Sequence, residues 1–181
     1  MERNLVMIAL FAALIAVLGL IPKITLISGV PITAQSLGVM LCGTVLGARR
    51  GALAVLLFLL LVALGLPLLA GGRGGLGVFV GPSAGFLVGF PIAAFVTGLI
   101  VERLRALPLV LAGILAAVLG GIGALYIPGI AGMAIVLDKS LAEASLLAAP
   151  FLPGDLIKAA IAGMLTAALA KARPGAVMSR A

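Results

Sequence analysis

Between Leu5 and Ala170 the chain is a succession of apolar runs near the length a helix needs to cross a bilayer, and nearly every Lys and Arg falls in the gaps between them. A span takes about 20 apolar residues, so a chain of this length has room for roughly six. With 64% hydrophobic and 9% charged residues, the chain lies far outside the range of soluble domains. The expectation is an all-α integral membrane protein with six transmembrane helices in one domain, residues 1–181, and spans near 5–21, 36–48, 51–65, 83–101, 107–126 and 155–170. The first run starts after Glu2 and Arg3 and is followed by no small-x-small cleavage site, so it reads as a span and not as a cleaved signal.

Cation placement orients these spans, because Lys and Arg favour the cytoplasmic side. Arg3, Arg49, Arg50, Arg103, Arg105, Lys171, Arg173 and Arg180 fall on one side, against Lys23, Arg73 and Lys139 on the other. Both termini are therefore expected in the cytoplasm. The net charge of +7 follows from this distribution. The basic residues are dispersed and carry no interleaved aromatics, so a nucleic-acid partner is not implied.

The connections expected outside are the unusual ones. Residues 22–35 are apolar yet broken by Gly29 and Pro31 and dotted with Thr25, Ser28, Thr33 and Gln35. Irregular backbone at membrane depth must be buried in protein or line a wet cavity; the segment is either the wall of a site or a surface loop. Residues 71–91, GGRGGLGVFVGPSAGFLVGFP, join a glycine loop carrying the single charge Arg73 to a helix. Gly81, Gly85 and Gly89 recur every fourth residue, a spacing that lets a neighbouring helix approach closely. Ala9, Ala12, Ala13 and Ala16 form a comparable strip on the first span, fit for a partner or for internal packing.

Asp155 and Lys158 lie just inside the last span and share a helix face. A charge within a span usually faces an interior and has a partner. The pair is either a cap with a snorkelling lysine or a polar anchor in an apolar pocket. Catalysis finds no support. The sequence has no His, no G-x-x-x-x-G-K-[ST] loop for ATP, and Asp155 is the only acid within an expected span. Gly72, Gly74 and Gly77 fit G-x-G-x-x-G but lack the strand–helix context of a dinucleotide site. Cys42, alone in an apolar run, suits a small core residue, and no metal set is present.

Four motifs, P-I-T-A-Q at 31–35, L-G-A-R-R-G at 46–51, the glycine loop with G-P-S-A-G-F at 81–86, and P-G-D-L-I-K at 153–158, occur in an order that resembles the BioY family. Members are the biotin-specific substrate-binding components of energy-coupling factor transporters, and the resemblance covers nearly the whole chain. It implies a six-helix protein of the cytoplasmic (inner) membrane, not an enzyme, that captures biotin outside. Uptake would be coupled to a membrane scaffold protein and two ATPase subunits. On this resemblance Asp155 and Lys158 correspond to the family's aspartate and lysine that contact biotin. Phe79 and Tyr126 would cover its apolar part, and Arg73 would meet its carboxylate. Ser83 and Gln35 are further candidates for the substrate site, and Ala9, Ala13 and Ala16 for the docking surface. Biotin is then the transported substrate and no cofactor is implied. Where the family often has G-P-T-G-G-Y, this chain has Phe86, so a hydroxyl at that position is missing. A carrier of another small vitamin and a structural membrane partner without substrate are the alternatives.

Overall fold

The computed structural model describes residues 2–25 and 27–180; Met1, Leu26 and Ala181, which the expected 1–181 domain includes, lie outside the described residues. Among the described residues the regular structure is helical apart from a short antiparallel pairing of β1 (Ile24–Thr25) with β2 (Pro31–Ile32) and an isolated bridge between Leu69 and Arg73. The main helices are α1 (Glu2–Leu18), α2 (Gln35–Leu41), α3 (Ala48–Ala63), α4 (Ala84–Arg103), α5 (Leu109–Val118), α6 (Leu125–Leu137), α7 (Leu141–Ala148) and α8 (Leu152–Ala172). A π-helical stretch, Cys42–Leu46, extends α2, and a second, Leu119–Ala124, joins α5 to α6 without a break. Among the described residues, three helical stretches are long and apolar enough to cross a membrane: Ala84–Arg103, Leu109–Leu137 and Leu141–Ala172.

The helix boundaries depart from the expected spans at three places, each for a local reason. Pro128 does not stop the fifth helix, which runs on from Leu109 to Leu137. The π stretch just before it shifts the hydrogen-bond ladder where the missing N–H would be felt, and such breaks are tolerated in apolar helices when neighbours and local adjustments take up the freed groups. The stop comes instead at Asp138, which takes a left-handed conformation at φ 52°. Arg49 and Arg50 do not form the turn between the second and third helices. The chain bends at Gly47, φ 85°, and both arginines belong to the first turn of α3. At the last helix, Asp155 lies inside the first turn of α8, since that helix already begins at Leu152.

α2 with its π extension is the centre of the fold. Seven α-helical and five π-helical residues make it too short to cross a bilayer core of about 30 Å unaided. It is buried nearly all round, packed among α1, α4 and α8. Met40, Cys42, Val45 and Leu46 meet Ile15, Phe58 and Val62 in one continuous core. The packing is close because small residues sit at the crossings. Gly85 of α4 meets Gly132 and the Pro128 carbonyl of α6, and Gly113 of α5 meets Gly163 of α8. Gly89 also faces α6, against Leu125 and Pro128, whereas Gly81 precedes the helix and has open space around it.

Adding side chains at these crossings forces the helices apart, whereas Gly123 has almost nothing near it. Gly85→Val and Gly113→Val should each destabilise the protein by about 1–3 kcal/mol and lower its thermal midpoint in detergent. Gly123→Ala should leave that midpoint unchanged, and equal midpoints for all three variants would remove the helix-crossing account.

Candidate functional site

Where α8, α2 and α6 meet, four polar side chains close on one another in otherwise apolar surroundings. Lys158 donates to Asp155 Oδ1 at 2.8 Å, the one-turn neighbour on the same face of α8. Ser36, at the start of α2, donates to the same oxygen at 3.1 Å and accepts from Lys158 Nζ at 3.0 Å. Tyr126, at the start of α6, donates to Asp155 Oδ2 at 2.9 Å. Both carboxylate oxygens are therefore occupied by side chains from other elements, and none of these bonds caps the helix. Asp155 thus does not cap α8 and is instead paired with Lys158 and bonded by Ser36 and Tyr126. The pair is well shielded, with side-chain exposures of 14% for Lys158 and 8% for Asp155, so each charge depends on the other.

Asp155, Lys158 and Ser36 of this cluster line a cavity. Its apolar lining comes chiefly from Phe86, Phe90, Leu125 and Phe151, and loop residues Val30 to Thr33, Leu69 and Arg73 complete it. The ring of Phe86 lies edge-on to Tyr126, with centroids 6.0 Å apart, and tilted at 57° to Phe151 at 5.8 Å. Arg73 is placed by its loop. Leu69 and Arg73 exchange backbone hydrogen bonds across a tight turn whose glycines, Gly71 and Gly72, have φ of 81° and 69°, a conformation that costs glycine little. Arg73 Nε donates to the Ala70 carbonyl, and the terminal guanidinium nitrogens make no hydrogen bond to the described residues. Lys158 likewise keeps one of its three N–H donors free.

The structure brings Asp155, Lys158, Arg73, Ser83 and Gln35 into the lining of one cavity. The Ser83 hydroxyl makes no hydrogen bond to the described residues and does not cap α4. Gln35 has no polar atom to spare. Its amide nitrogen donates to the carbonyls of Ile15 and Leu68 at 3.1 and 3.0 Å, and its oxygen accepts from Ala70 N–H at 3.1 Å. It pins the glycine loop to the end of α1. Tyr126 reaches the cavity through Asp155 and Phe86 and is not part of its surface, and Phe79 packs against the edge of the core outside it. Ser36, Phe86, Phe90 and Phe151 are among the lining residues that sequence reasoning missed. A serine next to Gln35 and aromatics on apolar helices carry no signal that separates a site from a core. On α1, Ala9 and Ala13 are exposed and Ala16 is half-buried.

The free space at the centre of the cavity is about 70 Å³, enough for a few waters and well below the roughly 300 Å³ at which small-molecule pockets begin. A larger ligand enters only if a wall moves. The irregular part of the lining comes from residues 30–33 beside the β1–β2 pairing and from Leu69 and Arg73 of the glycine loop.

Breaking a shielded ion pair leaves one charge without its partner, whereas removing both charges does not. Asp155→Asn and Lys158→Met should each cost roughly 3 kcal/mol of stability, and the double variant clearly less than the sum. Denaturation midpoints in detergent give the cycle; additive losses would mean that the two charges do not depend on one another.

Comparison with known proteins gives a consistent result. The family model described as "BioY family" matches residues 2–175. The biotin transporter BioY of Rhodobacter capsulatus is 57% identical over 99% of this chain and 100% of its own length. A probable biotin transporter BioY of Bacillus subtilis is 46% identical over 91% of this chain and 89% of its own. Among solved structures, the crystal structure of the S-component for biotin from an ECF-type ABC transporter superposes with a TM-score of 0.89 at 29% identity, covering 94% of this chain and 92% of that one.

Proposed function

The chain belongs to the BioY family, and from that premise we propose that it is a biotin uptake protein, the substrate-binding component of an energy-coupling factor transporter. It is a transporter component and not an enzyme. The observation that carries the substrate reading is the shielded cluster of Asp155, Lys158, Ser36 and Tyr126 set into an aromatic cavity. Biotin has the complementary layout. Its ureido ring offers two N–H donors and a carbonyl, its thiophane ring is apolar, and its valerate ends in a carboxylate.

In this reading the fused rings lie against Phe86, Phe90 and Phe151. The ureido group meets the Asp155–Lys158 anchor, with the free Lys158 donor directed to the carbonyl, and the valerate carboxylate meets the open fork of Arg73. Tyr126 and Ser36 hold the anchor in place. Ser83 adds a hydroxyl at the wall, and Gln35 acts by fixing the loop that presents Arg73. Phe79 contributes from outside the cavity by supporting the glycine loop.

Six helices cross the membrane in one domain, with both termini in the cytoplasm. The three shorter helices, α1, α2 and α3, complete the set by packing with the longer ones. The cavity then opens on the outer face of the cytoplasmic membrane, and the cation-rich turns face inward. The exposed Ala9 and Ala13 with Ala16 on α1 form a smooth strip against which the helices of a scaffold protein, itself driven by two ATPases, can dock.

Equilibrium binding of labelled biotin to purified protein in detergent tests the site. Wild type should bind tightly. Losing a hydrogen bond to a charged group costs about 1.5–3 kcal/mol, so Asp155→Ala, Lys158→Ala and Arg73→Gln should each weaken binding by roughly ten- to a hundredfold. Folded variants that bind as well as wild type would move the site elsewhere. A folded wild type that binds no biotin would end the substrate reading.

A further inference from the structure

At the end of α4 far from the cavity, a groove of about 520 Å³ lies between α4 and the start of α3. Its floor is Leu46 and Ala48, its far wall Phe95 and Leu99, and its mouth carries Arg49, Arg50 and Glu102. Arg49 is exposed and Arg50 half-buried, and neither guanidinium has a hydrogen bond or an ion pair among the described residues. Glu102 is already engaged, its Oε1 accepting the Ala48 N–H at 2.9 Å. Two cations and one carboxylate leave the groove with a surplus of one positive charge.

The groove opens onto the outer flank of the protein. Phe95 is exposed, and Ile92 and Val88 continue from it as an exposed apolar stripe on the same face of α4. Leu53, Leu56 and Leu60 do the same on α3. Free guanidinium forks at the head of an apolar track suit a ligand with a phosphate at one end and a hydrocarbon chain at the other.

We propose that this groove holds an anionic phospholipid of the surrounding bilayer, its phosphate on Arg49 and Arg50 and an acyl chain along Phe95, Ile92 and Val88. The single surplus charge matches a phosphodiester monoanion, whereas a zwitterionic headgroup brings an ammonium that two arginines repel. Basic pockets between transmembrane helices on the cation-rich side are the setting in which such lipids bind. The site shares no residue with the cavity, so it stands independently of the biotin reading.

The test is native mass spectrometry and thermal unfolding of the purified protein with phosphatidylglycerol or phosphatidylcholine added. Wild type should retain phosphatidylglycerol and be stabilised by it more than by phosphatidylcholine. Arg49→Gln with Arg50→Gln should weaken retention by about fivefold for each cation removed and leave biotin binding unchanged. Lys171→Gln with Arg173→Gln, which removes the same charge elsewhere, should leave retention intact. Should the double variant fail to fold, Arg49→Gln alone, at an exposed position, carries the test with the effect of one cation. Equal retention in the groove variant, equal retention of the two lipids, or the same stabilisation by inorganic phosphate would each overturn the proposal. So would an unchanged lipid signal together with lost binding to the scaffold protein, which would assign the arginines to a protein partner.

Discussion

Inside an apolar medium, backbone N–H and C=O groups that leave regular helix geometry must find partners within the protein, and the few polar side chains of this chain are placed to meet that requirement. At one end of α2, Gln35 spends all three of its hydrogen bonds on backbone, tying the last turn of α1 to the glycine loop. At the other end, Glu102 satisfies the first N–H of α3 beyond the bend at Gly47. Ser179 covers the π extension of α2, its hydroxyl donating to the Thr44 carbonyl at 2.5 Å and its N–H to the Val45 carbonyl at 3.0 Å. The short central helix can be irregular at both ends because its neighbours supply what lipid cannot.

The same economy explains why the Asp155–Lys158 anchor is so fully enclosed. A carboxylate out of water is tolerated when its oxygens are paired and hydrogen-bonded, and here Lys158, Ser36 and Tyr126 come from three elements to do it. Those bonds also fix where α8, α2 and α6 stand relative to one another. A site built on rigid helices is held in place more firmly than one built on loops, which favours the helix side of the cavity as the fixed one. The glycine loop on the other side turns at Gly71, Gly72 and Gly75, each at positive φ, and Gln35 holds its base.

How much of this could be read in the sequence depended on whether a residue's type conflicts with its surroundings. Asp155 and Lys158 were legible because charges within an apolar run need a reason, and Arg73 because it is the one cation in a glycine loop. Phe86, Phe90 and Phe151 were not, since an aromatic in an apolar segment looks the same whether it faces a core or a cavity. Gln35 was legible as unusual but not in its role; only the fold shows that its amide is consumed by backbone. The helix boundaries failed where a local stop signal was overridden. Pro128 reads as an end, yet the π stretch before it lets the helix continue. Arg49 and Arg50 read as a turn, but the bend belongs to Gly47, whose left-handed conformation has no charge to advertise it.

The small central cavity ties these points to affinity. If the state that admits a ligand is a minor one, the measured dissociation constant is the intrinsic one divided by the fraction open. An anchor that is already assembled reduces the ordering cost on the α8 side, so most of the remaining cost lies in moving the loop wall and in closing it again over the ligand. Contacts made only after closure, above all between the fork of Arg73 and an anionic group, then stabilise the closed state selectively, which is what a ligand must do to shift such an equilibrium. Arg73 is suited to that task because its backbone is clamped to Leu69 while its guanidinium end remains unpaired. On the biotin reading proposed above, capture rests on a division of labour: buried charges on helices fix orientation, and a free charge on a glycine loop rewards closing.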